Sequence, residues 1–230
     1  FLDIHHINTG RGDASFLVLP DGTTMLFDAG NLNKRKFENK YAPLRATSPK
    51  PNDSISAANF IALYIKNMMP KDIKPIINYG LISHFHQDHY GSLVALGSIV
   101  PIKKMVDRNY PDYNYPIDLK QYLSKDSIFQ NYQEFIKEKE IIVESLTVGS
   151  NSQIQLQNSI GKYPTFKIQN VKSNATIWTG NADKTFEYFK AEDMTAFYKG
   201  KYNENTLSLA IKISYGDFDY FTGGDNTGMQ

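Results

Sequence analysis

His84-Phe85-His86-Gln87-Asp88-His89 sets three imidazoles and a carboxylate within six positions, just after an apolar run, where a loop can turn several side chains toward one point. Imidazole nitrogen and carboxylate oxygen are ligands for borderline divalent cations. The sequence holds five histidines and no cysteine, so any metal is bound without thiolate; zinc suits such a donor set, with manganese and iron as alternatives. A lone histidine is more often a packing or hydrogen-bonding residue, but four ligand-type side chains packed together read as a metal site. His5 and His6 alternate faces on one predicted strand, so at most one of them could approach such a site, and neither is taken as a ligand.

Several predicted elements must position this cluster. Residues 2–8, 14–19 and 24–27 read as strands of an antiparallel meander, linked by glycine-bearing turns and leading into Asp28-Ala29-Gly30. Residues 31–52, rich in Lys, Asn and Pro without sustained periodicity, read as a mobile surface insertion. A helix capped by Asp53 or Ser54 then runs to about Met69, with Ile55, Ala58, Ile61, Ala62, Ile65 and Met69 on one face and Pro70 closing it. Residues 76–82 form a buried strand, followed by the histidine loop and the apolar segment 93–96. Asp126 or Ser127 caps a helix carrying Ile128, Tyr132, Phe135 and Ile136, and residues 141–147 read as a strand. The tyrosine-rich stretch 107–115 is read as a packed surface loop, with a partner-binding aromatic cluster as the alternative. Residues 206–214 and 218–222 pair as strands across Tyr215-Gly216-Asp217 and deliver Gly223-Gly224-Asp225.

The chain has 230 residues, of which 41% are hydrophobic, enough for a core in one domain. Its formal net charge of +1, from 25 basic and 24 acidic side chains, gives no bulk electrostatic case for a nucleic-acid partner, although a local basic patch is compatible with it. No stretch approaches the roughly 20 apolar residues of a membrane span. The expectation is a soluble protein, with a cytoplasmic location slightly favoured and the compartment otherwise open.

Residues 84–89 resemble the signature of the metallo-β-lactamase superfamily. Ile4-His5-His6-Ile7-Asn8-Thr9-Gly10-Arg11-Gly12-Asp13, Leu26-Phe27-Asp28-Ala29-Gly30, Asn205-Thr206-Leu207-Ser208-Leu209 and Phe221-Thr222-Gly223-Gly224-Asp225 are similar to segments of the hydrolase-like domain of the ComEC DNA-uptake protein and its soluble relatives. The resemblance implies an α+β fold, the αβ/βα four-layer sandwich, and a centre of two divalent metal ions. It puts His84 and His86 on one ion, Asp88 and His89 on the second, and Asp225 between them, with Asp88 also orienting a hydroxide that bridges the pair. Asp13 and Asp28, each at a strand end beside a glycine, then suit acceptors that fix the ligand tautomers, or simply caps.

The family's later histidine has no counterpart, since none follows His89. From this the expectation is a single domain over residues 1–230 with insertions within 31–52 and 107–205, lacking the C-terminal part of the sandwich and its second sheet. The implied activity is metal-dependent hydrolysis, with phosphodiesters or another small molecule as substrate. The alternatives are hydrolysis of a lactam, lactone or thioester, and a degenerate module that binds metal or a partner without turnover.

Overall fold

The computed structural model describes residues 1–48, 52–69, 73–200 and 203–227. Strands β1 (Asp3–His6), β2 (Ser15–Val18) and β3 (Thr24–Phe27) form the expected antiparallel meander. Helices α1 (Lys34–Lys40) and α2 (Ala57–Met68) precede β4 (Ile77–Leu81), which lies parallel to β3. Helices α3 (Gln87–Tyr90) and α4 (Leu93–Gly97) lead to β5 (Ile102–Asp107), and α5 (Leu119–Tyr122) and α6 (Ser127–Glu138) lead to β6 (Ile142–Ser145), both strands again parallel to their neighbours. The first sheet thus runs β1 to β6 in chain order.

β7 (Phe166–Ser173), β8 (Thr176–Trp178), β9 (Thr185–Glu187), helix α7 (Ala191–Tyr198), β10 (Ala210–Tyr215) and β11 (Phe218–Gly223) follow. These strands form an antiparallel second sheet in the order β11-β10-β7-β8-β9. Phe16, Leu26, Ile77 and Met105 pack under Ile61 and Ile65 of α2, Leu93 and Leu96 of α4, and Phe129 and Tyr132 of α6. Leu17, Met25, Leu81 and Val106 point to the opposite side and meet Ile168, Ile211 and Ile213 of the second sheet. Two apolar faces explain why β3 and β4 are buried at every position.

The structure corrects four expectations. The second sheet, expected to be missing, is present; its outward side carries Lys167, Lys212, Ser214 and Asp219, with Lys212 and Asp219 paired at 2.8 Å, beside the exposed Phe221. Helix α2 is capped by Ser56, whose Oγ accepts the Asn59 N–H at 3.2 Å. Asp53 is engaged elsewhere, by Arg11 at 3.3 Å and Ser48 at 3.0 Å, and Ile55 is exposed ahead of the cap. Pro70 lies outside the described residues. Part of the presumed irregular segment 31–52 is helical, as α1, held by Phe37 and Tyr41 ring contact at 5.0 Å. Residues 204–207 form a 3₁₀ turn, and β10 starts only at Ala210, because Glu204 turns inward to a buried partner.

Candidate metal centre

Parallel strands deliver their following residues to one edge of the sheet, the usual place for a ligand crevice in parallel sheets. Asp28 follows β3, Ser83 and His84 follow β4, and Arg108 follows β5. The ladder extends beyond the strands, with Asp28 N donating to Leu81 O and Ile82 N to Val106 O. The next turn is helical: α3 carries Asp88 and His89, and Ala29 N donates to His89 O at 2.7 Å. Gly30 sits where any Cβ would run into the Asp88 carbonyl, so only glycine permits this closure. In the 107–115 loop Tyr113 is buried, its hydroxyl and that of Tyr132 donating to the buried Asp107 carboxylate at 2.7 and 2.9 Å, while Tyr110 and Tyr115 are exposed.

His84, His89 and Asp225 each offer a ligand atom, all within 4.8 Å of one another. Asp225 arrives from the second sheet, two residues beyond β11, and its Oδ1 lies 3.5 Å from His89 Nε2. The approach is close: a Cβ on Gly224 would come within 2.8 Å of His84 Nδ1. His86 stands beside this cluster, its Nδ1 3.0 Å from His84 Nε2, a spacing at which two ring nitrogens share one proton or face one cation. Asp88 borders the same cleft, half-buried, with its carbonyl accepting from Asp13 N at 2.8 Å.

The two carboxylates singled out behind the ligands behave differently. Asp28 is buried and in the left-handed backbone region at φ 62°. Its Oδ2 lies 2.8 Å from His89 Nδ1 and accepts from Ser83 Oγ at 2.7 Å, while its Oδ1 accepts Ser83 N at 2.7 Å. Asp13 is 71% exposed and 3.9 Å from His89 Nδ1; its backbone, bonded to Asp88 O and Gly30 N, does the bracing. His5 packs against Tyr64 and Phe16, and His6 against Ser15 and Tyr220, so neither joins the cluster.

Electrostatics divides the imidazoles. Burial, then the neighbouring His89 and His86, push His84 far below the ordinary histidine range, so its ring stays neutral and ready to ligate. Burial also works against charge on His89, yet Asp28 foremost, then Asp88 and Asp225, lift it to about 9. Burial likewise holds the Asp28 carboxyl above its usual range, with His89 and Ser83 opposing. Imidazole nitrogen and carboxylate oxygen at this spacing, without sulfur, fit a divalent cation, with His84 already neutral and His89 giving up its proton on binding.

Sequence reasoning missed the supports. Ser83 adjoins the motif, and its position alone was the clue. Arg108 and Glu204 are 96 positions apart in the chain yet form a fully buried ion pair at 2.6 Å, which no local pattern announces.

An α+β sandwich of two sheets with this histidine loop defines a metallo-β-lactamase-like fold. The sequence profile of the metallo-beta-lactamase superfamily matches residues 8–163, and the chain belongs to that superfamily, whose members are mostly metal-dependent hydrolases. No curated protein sequence matches it. Among solved structures it is similar to a metallo-beta-lactamase from Cronobacter sakazakii bearing substitutions in its HARLDQ motif, at 11% identity and TM-score 0.43, over 95% of this chain and 59% of that one. It is also similar to an E377D mutant of the CmlA beta-hydroxylase, at 10% identity and TM-score 0.41, over 95% of this chain and 29% of that one. No helix among the described residues is long and apolar enough to cross a membrane.

Proposed function

We propose that the protein is a metal-dependent hydrolase of phosphodiester-type substrates, with His84, His86, Asp88, His89 and Asp225 holding two divalent ions, zinc before manganese or iron. The observation that carries this reading is the convergence of His84, His89 and Asp225 from two sheets onto one point. Bound there, divalent cations supply Lewis acidity and lower the pKa of water toward neutrality. The chain's own residues do the rest: Asp28 holds the His89 ring by Nδ1, Asp225 faces its Nε2, and Asp88 sits at the mouth, where it can orient an incoming water.

The cleft beside the cluster has a volume of about 1000 Å³ and is lined by residues of α1 and of the segment 122–127. Lys40 and Lys125 line it, together with Phe37, Tyr41 and Tyr122 and with Asp126 beside the proposed ligands Asp88 and Asp225. Helix α1 also shows Lys34, Arg35 and, just beyond, Arg45, against Glu38, so a chain of near-zero net charge is locally basic beside its cleft. Cationic side chains at the rim favour an anionic substrate, and the ComEC-like segments point the same way.

The test is turnover of bis(p-nitrophenyl) phosphate by protein loaded with zinc or manganese, alongside a lactam, a lactone and a thioester. The expected result is phosphodiester turnover that EDTA abolishes and metal restores, and that Asp225→Ala lowers by more than about 100-fold. Turnover of a carbonyl substrate alone would redirect the reading to that class. Stoichiometric metal with no turnover of any ester would mark a binding module.

A further inference from the structure

The proposed ligands come from two arms, the loop after β4 and the end of β11, which belong to different sheets. Consecutive side chains of the 3₁₀ turn Glu204–Leu207 reach both. Glu204 Oε2 accepts the Phe85 N–H at 3.2 Å, between His84 and His86. Asn205 Nδ2 donates to Asp225 Oδ2 at 3.3 Å. Asp225 needs such a tether, since its side chain is 47% exposed and it follows two glycines.

The turn itself is anchored. Arg108 donates to both Glu204 oxygens at 2.6 and 3.0 Å, to Asn174 Oδ1 at 2.7 Å and to Tyr115 O at 3.2 Å, with Arg108 and Glu204 side chains wholly buried. Lys172 Nζ donates to Thr206 O at 3.0 Å and Ser208 O at 2.7 Å. A buried ion pair is weak evidence of stability, because apolar residues often do as well; one that also grips a functional loop has a second use. Asn205 is oriented by its partner: a carboxylate only accepts, so the amide nitrogen faces Asp225 and Oδ1 faces away, buried and without a donor among the described residues.

We infer that Glu204 and Asn205 are positioning residues that fix the separation of the two arms, with Asn205 aiming the Asp225 carboxylate so that its other oxygen faces His89. This rests on the metal-centre reading above. Asn205→Ala in the full chain tests it by zinc competition titration, by the visible spectrum of the Co(II) form, and by Tm in EDTA. The expected result is a zinc dissociation constant about 10- to 100-fold higher than wild type and an altered Co(II) spectrum, with Tm in EDTA unchanged. Asn205→Ser, polar but too short to reach Asp225, gives the same result should the alanine variant fail to fold. Wild-type affinity and spectrum in the variant overturn the inference, as does a fall of Tm in EDTA with affinity intact. Failure of the wild-type chain to take up metal overturns the metal-centre reading itself, and is distinguished by being seen before any substitution is made.

Discussion

Asp28→Asn is the sharpest probe of the proposed metal centre. Asparagine is nearly isosteric with aspartate and tolerates the left-handed backbone at φ 62°, so the fold has no steric reason to change. Asp28 Oδ1 accepts the Ser83 N–H at 2.7 Å, which obliges the amide oxygen of the substituted side chain to take that place. The amide nitrogen then replaces Oδ2 and donates toward His89 Nδ1, 2.8 Å away in the native protein. Nδ1 must now accept, the ring proton moves to Nε2, and Nε2 is the nitrogen that faces Asp225. The variant thus presents an N–H where a lone pair is needed. In the metal-free protein the same change removes the largest contribution raising His89 to about 9, and the gap from the ordinary 6.5 corresponds to about 3 kcal/mol of favoured protonation. Zinc affinity is expected to fall about 10- to 100-fold, read by competition with a chromophoric chelator, and the His89 titration seen by NMR in EDTA moves to lower pH. Unchanged affinity together with an unmoved His89 titration would refute the reasoning.

Two further outcomes follow from the buried charges. Arg108→Met strands the Glu204 carboxylate in the core and is expected to cost about 3–5 kcal/mol in urea unfolding; adding Glu204→Leu recovers much of that loss, and a single-variant cost below about 1 kcal/mol would show that the pair is not sealed from solvent. Burial, with Arg108 nearby, depresses Lys172 from its ordinary 10.5 to about 7. Between those values the unfolded chain binds the extra proton, so stability rises with pH across that window, and the whole penalty is present below about 7. His89, raised to about 9, has the opposite slope between 6.5 and 9, but it is common to wild type and Lys172→Met and cancels between them. Comparing the two in EDTA, wild type should gain roughly 2–3 kcal/mol on the variant from pH 7 to pH 9, and parallel profiles would contradict a depressed lysine.

Much of the site was legible because its chemistry is local. His84 to His89 are neighbours in sequence, and a buried strand before them with glycines around them is enough to announce a ligand loop. The β1–β3 meander and the Asp126-capped α6 were legible for the same reason, since turns, caps and alternation act over a few residues. The α2 cap was misplaced because Asp53, Ser54 and Ser56 are all suitable cap residues, and what removes Asp53 from the choice is Arg11, 42 positions away.

The sequence by itself determined the types of candidate donor and the strand-to-loop frame that presents the histidines. The tertiary structure alone decided that Asp225 meets His89, that Asp28 rather than Asp13 holds its ring, and that Glu204 leaves the strand pattern to join Arg108. It also decided that residues 166–187 build most of a second sheet, for which short, interrupted strands such as β8 and β9 give little periodic signal. The division has one physical cause: backbone propensity and capping act between near neighbours, whereas pairing across sheets and burial of charge depend on which distant segments the core brings together.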